Sequence, residues 1–338
     1  MTCQAGTKDE NIIRGIKFYP EHSNCPIAAS CARSIHDAGF NTVFMPIREK
    51  DLSETAEFDL HAFREELRVW DIRFAAVVQV FFDPERWDEH PEWRAMDQDL
   101  DDTPESWQKM LSPGCEDFRS LKLEHINQII HELNPDMLAL DFIRYPAFWE
   151  EIHVDSLRNI TRYYDYNPLS INKMSDLYNV VNIQIHHNDT VKWTSFKTAQ
   201  ITSYVKEVRE LAGDLQLVIH ILPWLLKDQE HYLKFIAGQD VQALSEYADI
   251  LSPMLYTMVP GLNPERIRNM IKDFSGRYSK ICFLPSYLIP DNSPASLSDY
   301  DLSKGYLLFH WGKVEKNLDF FKELNKAFYN SIESGRKK

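Results

Sequence analysis

Three residues that could do chemistry follow directly on the apolar run at 137–140, in the segment MLALDFIRYP. They are Asp141, Arg144 and Tyr145. Burying an unpaired carboxylate is costly, so an aspartate at the end of a buried strand needs a partner or a function. Arg144 is near enough along the chain to supply the opposite charge. A structural ion pair that closes the strand end is the alternative to a catalytic carboxylate, and spacing alone leaves both interpretations open.

The elements that must position these residues are indicated by eight short apolar runs, with mostly helical segments between them. The runs lie at 14–19, 41–47, 74–81, 137–143, 215–222, 249–256, 280–287 and 305–311. Continuous apolar runs are typical of parallel strands that are covered on both faces. The pattern predicts an α/β fold, a (β/α)8 TIM barrel with long loops after strands 3 and 4. A doubly wound open sheet is the alternative, but no glycine-rich first turn is present.

The predicted domain organisation is simple. We expect one barrel domain over residues 12–330, an N-terminal tail at 1–11 and a C-terminal tail at 331–338. The polar stretch at 83–114 is long for a loop inside a compact domain, and such loops are normally functional or disordered. It contains Trp87, Trp93 and Trp107, which argue for order.

Active sites of TIM barrels lie at the C-terminal ends of the strands. Beyond the segment described above, the polar and aromatic residues at these ends are Tyr19, Arg48, Gln79, His220, Trp224, Tyr256, Tyr287, His310 and Trp311. Alternation along the fifth strand places His220 on the face of Val218, which would direct the imidazole into the barrel mouth. The alternatives are a buried core histidine, a rim salt bridge between Arg48 and Asp141, and ordinary core aromatics.

Composition and motifs narrow the class of ligand. The formal net charge of −14 argues against a nucleic acid or an anionic membrane as partner. No run approaches the 18 apolar residues of a transmembrane helix. No phosphate-binding glycine loop, HExxH helix or GxSxG elbow is present, so we expect no cofactor and no metal. An acid, a basic rim and many aromatic rings at one barrel end suit a neutral, hydroxyl-rich ligand.

The cysteines and the first residues bear on location. The chain has Cys3, Cys25, Cys31, Cys115 and Cys282, an odd number without zinc-ligand spacing. Cys25 and Cys31 could pair, but free thiols in a reducing compartment are the simpler interpretation. The first 15 residues are too polar for a signal peptide, so we expect a cytoplasmic protein as the sequence is written. The alternative is a secreted or lipid-anchored protein whose leader was removed, with Cys3 left near the start.

Several segments together resemble glycosyl-hydrolase-like family ten, a group of TIM-barrel glycosidases. They are GFNTVFMPIR at 39–48, HPEW at 90–93, LSPG at 111–114, LDFIRYP at 140–146, WTSFKTAQITSYVKEV at 193–208, GQD at 238–240 and ADILSPMLY at 248–256. The ordered set covers roughly residues 12–312, and the LDFIRYP segment is its most specific member. The resemblance implies a TIM barrel, cleavage of glycosidic bonds, and a sugar site lined by Arg48, Asp141, Arg144 and Tyr256.

The sequence departs from the family pattern at three points. Lys197 stands where the family usually has arginine in a long helix. Residues 137–140 lack the Gly-Ile-His that commonly precedes the signature aspartate. The export signal usual in the family is not visible. These departures bear on location and substrate more than on fold.

Most glycosidases act through two carboxyl groups that flank the scissile bond. Asp141 is the first, and a nearby arginine would keep it ionised as nucleophile or transition-state stabiliser. Candidates for the second lie in loops at the same barrel end and are Glu21, Asp83, Glu150, Asp228 and Asp240. The resemblance favours Asp240, and closeness in sequence to Asp141 favours Glu150. A mechanism assisted by an N-acetyl group of the substrate would need only one protein acid.

The sequence therefore predicts a glycoside hydrolase that cleaves a poly- or oligosaccharide, with Asp141 as its central carboxylate. The alternative is a non-catalytic carbohydrate-binding protein on a degenerate glycosidase barrel. A second carboxyl within about 10 Å would favour the enzyme, and a lone acid the binding protein. A metal-dependent hydrolase is disfavoured, because the strand ends offer no clustered histidine and carboxylate ligands.

Overall fold

The strands form one parallel sheet in a computed structural model that describes residues 12–25, 27–53, 56–103, 105–178, 190–289, 297 and 299–326. In chain order they are β1 (Arg14–Lys17), β2 (Thr42–Pro46), β3 (Arg73–Gln79), β4 (Met137–Asp141), β5 (Gln216–Ile221), β6 (Ile250–Pro253), β7 (Cys282–Phe283), β8 (Ser286–Leu288) and β9 (Tyr306–Phe309). From one end to the other, their order in the sheet is β7-β6-β5-β4-β3-β2-β1-β9-β8. Each of the eight predicted apolar runs overlaps at least one of these strands.

The sheet closes through β7 and β8, which are two halves of the predicted seventh strand. Strand β7 pairs with β6, and β8 pairs with β9 on the other side. A parallel bridge between Met254 and Ser286 joins the two ends of the sheet. Pro285 lies between the halves and has no N–H for a ladder, which accounts for the interruption. The result is a TIM barrel with eight strand positions, as predicted.

Helices cover the outside of the barrel. They are α1 (Ala28–Asp37), α2 (Leu60–Val69), α3 (Pro84–Glu89), α4 (Glu116–Leu133), α5 (Pro168–Tyr178), α6 (Thr190–Ala212), α7 (Glu230–Ala237), α8 (Val241–Leu244), α9 (Pro264–Arg277) and α10 (Trp311–Glu315). Residues 318–326 are also helical. The predicted tails at 1–11 and 331–338 lie outside the described residues. Helices α3 and α7 were not predicted, because both are short, and α3 has no buried residue that would give an apolar period.

Alternation along the strands divides the core into two layers. One set of buried side chains fills the barrel interior and includes Phe44, Val77, Ala139, Val218 and Leu307. The opposite faces of the strands pack against the helices in a much larger apolar cluster. Because both faces of the strands are covered, the middle positions of the strands are mostly apolar.

The long loop after β3 is ordered, as its tryptophans predicted. Antiparallel bridges join Phe82 to Met110 and Arg94 to Leu111, so the loop doubles back on itself. Its Trp87 lies beneath the guanidinium of Arg94, whose central carbon is 3.7 Å from the ring centroid. The loop thereby forms a fixed wall beside the C-terminal end of β3.

The cysteines follow the prediction in part. Cys25, Cys31 and Cys115 are free thiols. Cys282 is disulfide-bonded, so the expectation of free thiols was wrong for this residue. Cys3 lies outside the described residues. A search of the helices in the described ranges finds none that is long and apolar enough to span a membrane.

Candidate active site

The barrel interior changes from apolar to polar at the C-terminal ends of the strands. Side chains two residues apart on a strand share a face. The residue two positions after each interior residue therefore also faces inward. Asp141 follows Ala139 in this way, and His220 follows Val218. The inward-facing polar layer formed by the same rule is Lys17, Gln79, Asp141, His220, Ser252 and Ser286. This layer is the floor of the candidate active site.

Lys17 and Asp141 form a buried ion pair at the centre of this floor. The Lys17 ammonium donates to Oδ2 of Asp141 at 2.8 Å, and the side chain of Lys17 is only 2% exposed. The second carboxylate oxygen, Oδ1, accepts from the backbone N–H of Phe142 at 2.9 Å. Burial acts to raise the pKa of Asp141, but the Lys17 charge, with smaller contributions from His220 and these hydrogen bonds, outweighs it. The pKa of Asp141 therefore lies below its ordinary value, and the carboxylate is ionised.

The pairing of Lys17 with Asp141 corrects two sequence-based expectations. Arg144 was the expected charge partner of Asp141, and Arg48 the expected rim partner. Arg48 is instead exposed and pairs with Asp51 at 2.9 Å and Glu21 at 3.3 Å. Lys17 was missed, although a lysine inside the apolar run RGIKFY is a readable signal of a buried charge.

His220 lies in the polar layer as predicted, on the inward face of β5. Its ring centroid is 6.5 Å from that of Phe44. Burial and then the Lys17 charge lower the pKa of His220 to about 3, so its imidazole is neutral. Neither ring nitrogen has hydrogen-bond geometry with a partner in the described residues, although the Ser252 backbone faces the ring. A neutral imidazole whose nitrogens lack such a partner can form a hydrogen bond with a ligand hydroxyl.

Glu150 supplies a second carboxyl, whose pKa is shifted in the opposite direction from that of Asp141. Burial raises the pKa of Glu150 to about 7, against the opposing charge of Arg144, while Asp141 adds a smaller contribution that also raises it. Its Oε2 is buried and has no hydrogen-bond partner among the residues described. Arg144 is itself buried, and its Nη1 donates to the Tyr145 carbonyl at 3.0 Å. Near neutral pH one carboxyl is thus ionised, while the other is protonated in about half of the molecules.

Aromatic rings surround the ion pair. The Lys17 ammonium is 5.6 Å from the ring centroid of Phe309. The Phe309 centroid is 5.7 Å from that of Tyr19 and 5.8 Å from that of Tyr256. Trp149 continues the wall at 5.8 Å from Tyr256. The Tyr256 hydroxyl is 3.4 Å from Oγ of Ser286, so the polar tip of this ring contacts the floor.

The structure places Asp240 as a structural residue. It caps the N-terminus of α8, where its Oδ1 accepts from the backbone N–H groups of Gln242 and Ala243 at 3.1 and 3.4 Å. Its other oxygen is 2.9 Å from the Lys234 ammonium. Since these bonds occupy the carboxylate, the geometry favours Glu150 over Asp240 as the second acid.

Four of the predicted substrate-binding aromatics lie in packed layers. Tyr145 is wholly buried, with the Lys197 ammonium 4.4 Å from its ring centroid. Tyr287 is on the face of β8 opposite to Ser286 and stacks on Tyr300 at 4.4 Å. The remaining two, Trp224 and Trp311, are fully buried and offer no exposed ring face. Period-2 alternation could have separated Tyr287 from the mouth, because it is out of phase with Ser286.

Two further predicted residues, Gln79 of the floor and His310 beside Tyr19, border the site. Gln79 is half-buried and is directly opposite Asp141 in the register of β3 and β4. The His310 ring is 6.0 Å from Tyr19 and 5.4 Å from His22. His22 and Trp149 were not predicted, since both belong to loops whose course the sequence does not specify. In the described part of the chain, no group of three or more His, Cys, Asp or Glu side chains is placed to hold a metal ion.

Comparison with solved structures supports the barrel fold, whereas comparison with known sequences identifies no family. No protein-family model matches the sequence, and none of the curated proteins matches it. Membership of glycosyl-hydrolase-like family ten therefore stays a prediction. Many solved structures do match the fold.

Three solved structures show the kind of barrel this is. The PgaB (BpsB) glycoside hydrolase domain from Bordetella bronchiseptica superposes with a TM-score of 0.69 at 12% identity, over 92% of this chain and 98% of that one. The catalytic domain of β-amylase from Paenibacillus polymyxa gives 0.64 at 7% identity, over 90% and 94%. A catalytic mutant of Gan42B, a GH42 β-galactosidase from G. stearothermophilus, gives 0.63 at 12% identity, over 95% and 57%. The chain has a TIM-barrel fold.

Proposed function

We propose that this protein is a glycoside hydrolase that cleaves a poly- or oligosaccharide at the C-terminal face of its barrel. The observation that carries the proposal is a second carboxyl within electrostatic reach of the ionised Asp141. Oε2 of Glu150 is buried without a hydrogen-bond partner among the described residues, and burial raises the pKa of Glu150 to about 7. Two titratable groups whose environments separate their pKa values are typical of acid–base assignments in glycosidases. The barrels named above, which carry glycosidase names, support the same class of reaction.

In the proposed mechanism, Glu150 is the general acid. Its protonated carboxyl donates to the glycosidic oxygen as the bond to the leaving sugar breaks, and the buried site disfavours loss of that proton to water. Asp141 faces the positive charge that develops on the sugar ring, as a nucleophile or as an electrostatic stabiliser. Water then bonds to the anomeric carbon, displacing Asp141 where it has acted as nucleophile, and gives its proton back to the Glu150 carboxylate. Lys17 and the Phe142 N–H hold the carboxylate in one orientation.

The remaining floor and wall residues would bind the sugar. The ring faces of Tyr19, Tyr256 and Phe309 offer apolar surface to the C–H face of a pyranose, and their surroundings offer polar atoms to its hydroxyls. Neutral His220 can donate from one nitrogen and accept at the other. This combination of stacking surface and unoccupied hydrogen-bonding atoms is what a hydroxyl-rich, uncharged ring requires.

A second candidate function is favoured by one specific observation. Both oxygens of Asp141 already accept a hydrogen bond, one from Lys17 and one from Phe142. A carboxylate so engaged is a weaker nucleophile, which would suit a carbohydrate-binding protein that does not cleave its ligand. Glu150 argues against this candidate, because its Oε2 is buried beside the mouth without a hydrogen-bond partner among the described residues.

The test is the release of reducing ends from a panel of bacterial and plant glycans by the wild type and by Asp141→Asn. The matched control is Asp319→Asn, since the Asp319 side chain is fully exposed. Release by the wild type and the control, but not by a folded Asp141→Asn variant, supports the hydrolase. Saturable binding of a glycan without release by any of the proteins supports the binding protein. Equal release by all of them would remove Asp141 from the chemistry.

A further inference from the structure

Two of the free cysteines lie in contact at the beginning of α1. Cys25 precedes the helix, and Cys31 lies within it, six residues further along the chain. The two thiols are hydrogen-bonded to each other. Sγ of Cys31 is also 3.6 Å from the Cys25 carbonyl oxygen, to which its thiol donates. The sulfur atoms are therefore neighbours in the folded chain, and the mechanism proposed above uses neither of them.

Exposure to solvent distinguishes the two thiols. Cys31 is fully buried, whereas Cys25 is only partly buried. Ser23 and Asn24, which directly precede Cys25, line a cavity of about 360 Å³, so a small molecule can approach Cys25 from that side. A thiol reacts only where a reagent can reach it. Cys25 is therefore the thiol that meets an oxidant first.

The surroundings also favour the thiolate form of Cys25 over that of Cys31. The hydrogen bond from Cys31 and one from Ser23 lower the pKa of Cys25, and they outweigh burial and the Glu315 carboxylate, which act to raise it. For Cys31, the hydrogen bond to Cys25 and burial raise the pKa. Because the thiolate is the nucleophile in thiol–disulfide exchange, Cys25 is suited to attack a disulfide and Cys31 to resolve the product.

The segment at 19–25, which borders the barrel mouth, is fastened to α10 by Glu315. Oε1 of Glu315 accepts from the Ser23 hydroxyl at 2.8 Å and from the Cys25 thiol at 3.1 Å. Its Oε2 accepts from the backbone N–H of Asn24 at 2.9 Å. Oxidation of Cys25 would remove only the thiol hydrogen from this set. The bonds from Ser23 and Asn24 would stay, so the fold can accept oxidation at this position.

We propose that Cys25 and Cys31 are a reversible disulfide site, which a low-molecular-weight disulfide such as oxidised glutathione oxidises. The Cys25 thiolate bonds to one sulfur of the oxidant, whose S–S bond breaks, and the released thiolate takes up the proton that Cys25 lost. Sγ of Cys31 then bonds to Sγ of Cys25, and the mixed disulfide breaks. The proton of Cys31 goes to the second departing thiolate.

In total, two cysteine thiols are oxidised to one disulfide, and the oxidant is reduced to two thiols. The new bond ties the segment at 19–25 to α1. Cys282 is disulfide-bonded in the same chain, so oxidation of cysteine already belongs to the chemistry of this protein.

The test follows the thiols of the full-length protein by mass spectrometry. The protein is incubated with oxidised glutathione or with excess dithiothreitol, quenched with acid, alkylated in denaturant and digested with trypsin without reduction. Both cysteines fall in one tryptic peptide, residues 18–33. After oxidised glutathione we expect this peptide to have lost two hydrogens and to carry no alkyl group, and dithiothreitol should restore two alkylated thiols. Cys115, a buried free thiol, is the internal reference and should be alkylated in both samples.

Three variants test the assigned order of the two thiols. Cys31→Ser removes the resolving thiol, so Cys25 should stop at the mixed disulfide and retain one glutathione. Cys25→Ser should leave the buried Cys31 alkylated after the same treatment. Cys115→Ser is the matched control and should form the disulfide as the wild type does.

Three results for the wild type would overturn the proposal. They are full alkylation of the peptide at 18–33 after oxidised glutathione, a glutathione retained on Cys25 without a disulfide, and oxidation of Cys115 to the same extent. Oxidation of Cys31 in Cys25→Ser would also contradict it, because the buried thiol would then react by itself. None of these measurements involves cleavage of a glycan, so they stand or fail separately from the proposed hydrolase.

Discussion

Two buried aspartates, Asp141 in the barrel mouth and Asp165 in the loop layer outside β4, are held in opposite ways. Asp165 accepts from the hydroxyls of Ser112 and Ser170 and from the N–H groups of Asn167 and Met96. No cation forms an ion pair with it in the described residues, and burial raises its pKa in spite of these bonds. Asp141 has one cation and one N–H instead, and its pKa is lowered.

The groups around the two aspartates also differ in their hydrogen-bond partners. Near Asp165, the Lys197 ammonium donates to the carbonyls of Phe235 and Ile236 at 2.8 and 2.7 Å. Around Asp141, both nitrogens of His220 and one oxygen of Glu150 lack partners among the described residues. Burial lowers the pKa of Lys197 to about 7, so a shifted pKa by itself does not mark a site. Buried atoms without a hydrogen-bond partner occur in both regions, because the hydroxyls of Tyr145 and Tyr164 in the outer layer also lack one among the described residues. What separates the two aspartates is the cation, since Lys17 pairs with Asp141.

Of the variants that test the contrast between Asp141 and Asp165, Asp141→Asn should have the largest effect, which is on kcat. Asp141→Asn removes the negative charge that faces the developing oxocarbenium ion, and we expect kcat on a cleaved glycan to fall by about a thousandfold or more. Steady-state kinetics of the variant beside Asp319→Asn measures the fall. A variant with kcat within a few-fold of the wild type would show that Asp141 is as structural as Asp165.

Removing the cation of the pair should cost stability. Lys17→Met leaves the Asp141 charge buried without a partner, and we expect the free energy of unfolding to drop by about 3–5 kcal/mol. The double variant with Asp141→Asn carries no buried charge at this position and should recover most of that loss. Urea denaturation of the two single variants and the double variant measures this coupling. Additive losses would mean that the two side chains do not interact.

Glu150→Gln should change the rate and its pH dependence together. Glu150 must be protonated to donate, and its pKa is about 7, so kcat of the wild type should fall as pH rises through about 7. In Glu150→Gln we expect kcat to be about a hundredfold lower and this alkaline fall to disappear. Glu151→Gln, the exposed neighbour, is the matched control. An alkaline fall unchanged in Glu150→Gln would assign the general acid to another residue.

The smallest expected effect is at Asp165, the aspartate of the outer layer. Asp165→Asn replaces one acceptor oxygen by a donor within a saturated network, and we expect a loss of about 1–3 kcal/mol in unfolding free energy. Because Asp165 lies outside the mouth, kcat and KM at a temperature well below unfolding should be unchanged. A fall in kcat of the still-folded variant would contradict the structural role given to the outer layer.

The barrel was predictable because its signal is spread over the whole chain. Eight apolar runs and the requirement that both strand faces be covered leave few topologies, and no single residue decides among them. Asp141 and His220 were also predictable, because they continue the inward-facing period of β4 and β5. The division of the seventh strand follows from Pro285 and could have been read from it.

The partners at the site were harder to predict, because they depend on which side chains meet across the barrel. Lys17 and Asp141 are 124 residues apart in the chain and touch only after closure of the sheet. Glu150 and Asp240 are both loop carboxylates in the sequence. Glu150 has one buried oxygen that lacks a partner among the described residues, and Asp240 caps a helix. Loop geometry rather than residue type makes this difference.

The most direct test of the separation between the pKa values of Asp141 and Glu150 is a carbon-13 NMR titration of the side-chain carboxyl groups in the wild-type protein. Resonances are assigned by their loss in Asp141→Asn and Glu150→Gln. We expect Asp141 to keep its ionised shift below the ordinary aspartate pKa of about 3.9. Glu150 should titrate near pH 7. Titration of both groups near their ordinary values would contradict the account and leave the barrel without an assigned acid and base.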